Sequence, residues 1–135
     1  MRSFIDSNII IYAEASDEPV KQKQALSLLR ELKLSGDGVV STQVLQEYCS
    51  VGLRKLGLDP AHLRLQLASL QQFEVVQITG DMIHAALDLH QTRSVAFYDA
   101  LIVIAAQRSG CSVLYSEDMQ AGEMLAQVRI VNPFA

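Results

Sequence analysis

Apolar positions along this chain gather in short runs divided by turn clusters, and the longest run covers residues 94–107. It holds no Gly or Pro, and its only charge between Arg93 and Arg108 is Asp99. The pattern predicts a helix that is apolar almost all round, and such a helix is buried. It is too short to cross a bilayer, which takes about 20 apolar residues.

Shorter apolar runs at residues 2–5, 39–40, 73–78, 113–115 and 128–131 predict strands. Between them, residues 9–13 continue the first run as one or two helical turns. A helix opens at Ser16-Asp17-Glu18-Pro19, with Pro suited to its first turn. It carries Val20, Ala25, Leu28, Leu29 and Leu32 toward the core and ends near Ser35-Gly36-Asp37-Gly38. Residues 43–56 follow as a helix with Val44, Tyr48 and Val51 on one stripe. Residues 61–72 form another helix, with Leu63, Leu67 and Leu70 apolar. Thr79-Gly80-Asp81 opens a further one through Ile83, Ala86, Leu87 and Leu89, and residues 119–126 read as a loop or short helix. Strands alternating with helices predict an α/β fold, with a central parallel sheet of about four to five strands and helices on both faces. No repeat, linker or low-complexity segment divides it, so residues 1–135 are read as one domain.

Half of the 135 residues are hydrophobic. A sheet covered on both faces needs that many, and so does a protein that buries surface against a partner. The net charge of −4, from 15 acidic and 11 basic residues, argues against a broad basic grip on nucleic acid. It leaves room for a nuclease that works through a bound cation, because the ion inverts the field at an acidic cluster. Cys49 and Cys111 have neither C-x-x-C spacing nor zinc spacing with His62, His84 or His90, and read as free thiols. His84 and His90 are six apart and cannot share a metal as an i, i+4 pair does. The N-terminus shows no signal-peptide pattern, so a cytoplasmic protein is expected.

The candidate chemistry is acidic. Asp6 and Asp118 stand where strands end, and ligands of parallel α/β sheets bind at the carboxyl ends of strands. Asp99 interrupts an apolar helix, where an ionised carboxylate is costly unless paired, hydrogen-bonded or bound to metal. Glu47 borders an apolar helical stripe. Each has an ordinary alternative: Asp6 and Asp99 could cap helices, and Glu47 could be a solvated helical Glu. Taken together they make an all-oxygen set, which suits Mg²⁺ or Mn²⁺ rather than zinc. There is no G-x-S-x-G elbow, phosphate-binding G-x-x-x-x-G-K-[ST] loop or G-x-G-x-x-G.

Phe4-Ile5-Asp6-Ser7-Asn8, helical Glu47, Tyr98-Asp99-Ala100-Leu101-Ile102 and Tyr115-Ser116-Glu117-Asp118 together resemble the PIN domain over essentially the whole chain. The length and the Asn132-Pro133-Phe134 ending resemble, more closely, the VapC-type toxins of bacterial toxin–antitoxin pairs. Ser7 and Ser116 stand where that family often has Thr. The resemblance implies a PIN-like three-layer fold in which Asp6, Glu47, Asp99 and Asp118 are the catalytic set and hold one or two Mg²⁺ or Mn²⁺ ions, directly or through water. Asn8 and Ser116 would steady those carboxylates, Asn8 having a helix-start role as its alternative. The activity implied is divalent-metal-dependent endoribonuclease cleavage of RNA, in a homodimer silenced by a cognate antitoxin whose segment covers the acidic groove, with no membrane partner. Arg54, Lys55 and Arg93 are candidates for contact with RNA phosphates.

The alternative reading is a non-catalytic module of the same fold, binding RNA or protein and retaining a metal site. A phosphotransfer protein is disfavoured. A receiver would need an acidic pair after the first strand, and an aspartyl phosphatase a second Asp where this chain has Asn8.

Overall fold

The computed structural model describes residues 1–135. In chain order the elements are β1 (Ser3–Ile5), α1 (Ser7–Ala13), α2 (Pro19–Ser35), β2 (Gly38–Ser41), α3 (Thr42–Arg54) and α4 (Pro60–Leu70). They continue with β3 (Glu74–Val76), α5 (Gly80–Arg93), α6 (Phe97–Arg108), β4 (Val113–Tyr115), β5 (Met124–Leu125) and β6 (Val128–Val131). The sheet runs β3-β2-β1-β4-β6-β5, parallel throughout except that β5 pairs antiparallel with β6.

This order fixes where the helices go. From β1 the chain steps to β2 and then β3 in one direction, so its right-handed crossovers put α1–α4 on one face. From β3 it returns past β1 to β4, which puts α5 and α6 on the other. The expected α/β architecture with a largely parallel sheet is therefore what the chain adopts, with six strands rather than four or five. Its core takes Phe4, Ile5, Val39, Val40 and Leu114 from the sheet, Ile9, Val44 and Tyr48 from one helical layer, and residues 100–106 of α6 from the other. No helix is long and apolar enough to cross a membrane.

Several expectations need correction. The helix expected over residues 94–107 begins only at Phe97, because Ser94 takes a left-handed conformation (φ 56°) that ends α5. Val20 lies on the outer side of α2 and is 71% exposed, so the core contact of that helix falls to Ala25 and Leu32. Ile83 and Leu87 are likewise largely outside the core, since α5 buries Ala86 and Leu89 instead. The segment at 119–126 is neither loop alone nor helix: Met124 and Leu125 form β5 and return to β6 through Ala126 and Gln127. Both turn residues have positive φ, as a two-residue hairpin of the right hand requires. Neither is Gly, Asn or Asp, so the usual sequence signal of such a turn is missing.

Candidate functional site: an acidic cleft at the switch point of the sheet

β1 sends the chain toward β2 while its other neighbour, β4, belongs to the second half of the sheet. A crevice opens at the carboxyl ends of strands where the order reverses in this way. Asp6 follows β1 directly, and Ser116 to Asp118 follow β4.

Asp6 is 4% exposed. It caps α1, its Oδ1 accepting from the Ser7 backbone N–H at 2.7 Å. Its Oδ2 accepts from the Ser116 hydroxyl at 2.8 Å and the Asn8 amide at 3.2 Å. The capping role and the cleft position therefore coexist in one side chain. Burial pushes its carboxyl up to about 6, against the lowering effect of the Ser116 and Ser7 hydrogen bonds, and the charges of Glu47 and Asp118 push the same way.

Asn8 and the wholly buried Ser116 knit this end of the cleft together. The Asn8 amide nitrogen also reaches Asp118 Oδ2 at 3.1 Å and Ser116 Oγ at 3.3 Å, while its Oδ1 accepts from the Glu117 N–H at 3.2 Å. Ser116 Oγ in turn accepts from the Asp118 N–H at 3.3 Å. One amide thus joins two carboxylates from opposite ends of the chain. Asp118 itself is exposed. Its neighbour Glu117 is committed elsewhere, accepting from Lys21 Nζ and from the Tyr12 hydroxyl, each at 2.6 Å. Burial alone would push Glu117 up, but those two hydrogen bonds hold it below its ordinary range.

Asp99 sits in the first turn of α6, where the helix dipole favours an anion. It is not the cap: Ala96 occupies that position and no side chain caps the helix. Asp99 is partly buried, and burial together with the charge of Asp118 raises its carboxyl. Glu47, on α3, is partly buried too. The Gln43 amide, one turn earlier, donates to its Oε2 at 3.4 Å and to the Tyr98 carbonyl at 3.2 Å. Glu47 Oε1 and Gln43 Oε1 are buried and meet no donor of the chain. Gln43, Gln46, Glu47, Ser50 and Tyr98 line a cleft of about 330 Å³. A larger one, about 590 Å³, lies between α2 and α4 and includes none of the four acids.

The structure thus brings Asp6 and Asp118 together through Asn8 and Ser116, and sets Glu47 and Asp99 within electrostatic reach of that pair. It does not close three of them on a single point. Carboxylates left to themselves repel one another, and a proton or a cation is what relieves that repulsion. The donor set fits a hard divalent ion on three grounds. All candidate ligands are oxygens, Asp6 and Asp99 are raised by burial and like charge, and Glu47 offers a buried oxygen that nothing in the chain satisfies. Of the basic candidates, Arg54 and Lys55 are exposed at the end of α3, with Arg54 bonded to Ser50 at 3.0 Å. Arg93 is exposed and paired with Glu123 at 3.2 Å. Gln43 and the Tyr12–Lys21 pair were absent from the residues singled out in the sequence. For Gln43 the available signal was a polar residue four before Glu47, on the same helical face.

The PIN-domain family model matches residues 3–124 of the chain. The chain belongs to the PIN-domain family. Solved structures resemble this PIN domain over nearly its whole length. A toxin–antitoxin complex from Klebsiella pneumoniae aligns with a TM-score of 0.69 at 20% identity, covering 97% of each chain. VapBC2 from Rickettsia felis, bound to a DNA fragment from its promoter, aligns with a TM-score of 0.70 at 17% identity, covering 96% of this chain and 97% of that one. VapC20 from Mycobacterium tuberculosis, a toxin that cleaves the sarcin–ricin loop, aligns at 0.64 and 19% identity, covering 86% and 89%. At these identities the likeness shows a shared fold. A search of curated proteins finds no match to this PIN domain.

Proposed function

We propose that the chain is a divalent-metal-dependent endoribonuclease, the toxin of a type II toxin–antitoxin pair. The observation that carries the reading is the buried Asp6 carboxylate, held by Ser7, Asn8 and Ser116 and tied through Asn8 to Asp118, with Glu47 and Asp99 within electrostatic reach of that pair. In this reading Asp6, Glu47, Asp99 and Asp118 hold Mg²⁺ or Mn²⁺. When bound, the cation supplies acidification of water and neutralisation of the charge that builds on the scissile phosphate. The chain's own residues do the rest. Ser7, Asn8 and Ser116 fix both Asp6 oxygens, which orients that carboxylate and resists its movement. The Asp99 carboxylate accepts no hydrogen bond within the chain, so besides helping to hold the ion it is free to orient a water molecule and take its proton. Hydrolysis then breaks one phosphorus–oxygen bond of the RNA backbone as the water oxygen adds in line.

The resemblance to toxin–antitoxin structures supports an antitoxin partner. A homodimer and a cytoplasmic location are further parts of this proposal. In this reading the exposed Arg54, bonded to the cleft residue Ser50, and its neighbour Lys55 would meet RNA phosphate, whereas Arg93 would first have to leave Glu123.

The test is cleavage of a labelled RNA pool by purified, antitoxin-free protein with Mg²⁺, with Mn²⁺ and with chelator. Discrete products that need metal, Asp6 and Asp99 are expected. A well-folded Asp99→Asn protein that still cuts RNA would sink the mechanism. The alternative is a PIN-fold module that binds RNA or protein, and retains a metal site, without cutting RNA. Metal binding by calorimetry without cleavage in any lane would favour that module.

A further inference from the structure

We propose that Gln43 is a positioning residue that sets the Glu47 carboxylate of α3 against the Asp99 end of α6. The inference rests on the metal-dependent reading above and deepens it by adding a residue to the same site. Four observations carry it. Gln43 is 95% buried, an unusual place for a glutamine on a helix that otherwise buries Val44 and Tyr48. Its single amide nitrogen donates to two groups at once, Glu47 Oε2 and the carbonyl of Tyr98, the residue immediately before Asp99. No other hydrogen bond of the chain joins α3 to the start of α6. Finally, its carbonyl oxygen is left buried without a donor, as is Glu47 Oε1 beside it.

The last point is the informative one. A buried acceptor without a partner costs stability, and an apolar side chain of the same length would avoid the cost. The orientation of the amide is fixed by chemistry. Turning it over would point its oxygen at the Tyr98 carbonyl and the Glu47 carboxylate, both acceptors, with no donor between them. Gln43 therefore keeps its nitrogen on Glu47 and Tyr98 at the expense of its own oxygen. A residue selected only to fill the core would not be built this way. One that must hold two carboxylate-bearing helices in register would be.

The test uses Gln43→Met, which keeps the length and apolar stem but has no N–H, with Gln43→Leu as a second apolar variant. Three quantities are measured: thermal stability in chelator, Mg²⁺ affinity by calorimetry, and kcat and KM for RNA. Stability in chelator is expected to stay near that of the native protein, because the orphaned Gln43 oxygen is gone while Glu47 Oε2 and the Tyr98 carbonyl lose their donor. Mg²⁺ affinity is expected to fall about tenfold or more, as for other residues that orient metal-binding carboxylates, and kcat to fall with KM unchanged. In a Glu47→Gln background the same substitution should cost no further Mg²⁺ affinity, since Gln43 would act through Glu47. Two results would overturn the proposal: unchanged Mg²⁺ affinity and kcat in a folded variant, or unfolding of both Gln43→Met and Gln43→Leu, which would make the role purely structural. If the unmodified protein binds Mg²⁺ and cuts RNA while Gln43→Met does both equally well, this inference falls and the nuclease stands. If the unmodified protein neither binds Mg²⁺ nor cuts RNA, the nuclease reading itself has failed.

Discussion

Replacing Asp6 by Asn in the metal-free protein should remove a pH dependence of stability whose size follows from the cleft. Asp6 is nearly fully buried, and its carboxyl is lifted from an ordinary 3.8 to about 6, chiefly by burial. A carboxyl raised on folding binds its proton more tightly in the folded state, so the ionised form burdens that state above pH 6 and the burden lifts as pH falls toward 3.8. The shift corresponds to about 3 kcal/mol in full, of which about 1.4 kcal/mol is recovered between pH 8 and pH 5. Asn carries no charge and lacks this pH dependence. Its absolute effect is harder to read, because Asn replaces an acceptor that faces the Asn8 amide with a donor, and the resulting mismatch costs about 1 kcal/mol. The pH slope is free of that complication. Urea unfolding of both proteins in chelator at pH 5 and pH 8 gives four free energies. The native protein should gain about 1 kcal/mol more than Asp6→Asn on going to pH 5. Saturating Mg²⁺ at pH 8 should stabilise the native protein and leave Asp6→Asn nearly unmoved, since the ion relieves the same repulsion. Equal pH slopes for the two proteins would show that Asp6 is not an energetically strained buried charge, and the electrostatic argument for a cation at this cleft would fail with it.

Three further outcomes are expected. Ser116→Ala removes the hydroxyl that bonds Asp6 and the acceptor that receives the Asp118 N–H, and should cost about 1–3 kcal/mol in urea unfolding, with the Asp6 carboxyl rising further; a change under 0.5 kcal/mol would remove Ser116 from the network. Glu117 is held below its ordinary range, so the pairing with Lys21 and Tyr12 stabilises the protein above that range and is lost as pH falls through the folded value; Glu117→Gln should show a shallower loss of stability on acidification below pH 5, checked by thermal melts. Gly38→Ala would place a Cβ 2.4 Å from Phe73 Cδ1 and 2.5 Å from Cε1 on a buried ring, and should cost about 1–3 kcal/mol through overpacking; an unchanged melting temperature would mean that Phe73 moves aside freely.

Much of this architecture can be read from local pattern, and where it cannot, the reason is physical. Asp6 and Asp118 are legible because a charged residue directly after a short buried strand has few places to be other than the mouth of the sheet. Asp99 is legible because it is alone in an apolar run, although the run gives no sign that Ser94 would turn left-handed and delay the helix to Phe97. Val20 is exposed because it stands in the first turn of α2, well round the helix from the stripe on which Ala25 and Leu32 are buried as expected. β5 is invisible because two residues carry no period, and its turn is made by Ala126 and Gln127 rather than by Gly or Asn. The deepest omission is Gln43. In the sequence it is one polar residue among several on α3, set apart from Gln46 only by standing four before Glu47. Only the return of the chain from β3 through α5 to α6 brings the Tyr98 carbonyl over it, 55 positions away, and makes it a buried bridge. The same holds for Asn8 and Asp118, which are 110 positions apart and meet because β4 pairs with β1. Residues at strand ends announce themselves through local chemistry. Those that hold them in place are defined by contacts between distant segments, and a one-dimensional pattern does not contain that information.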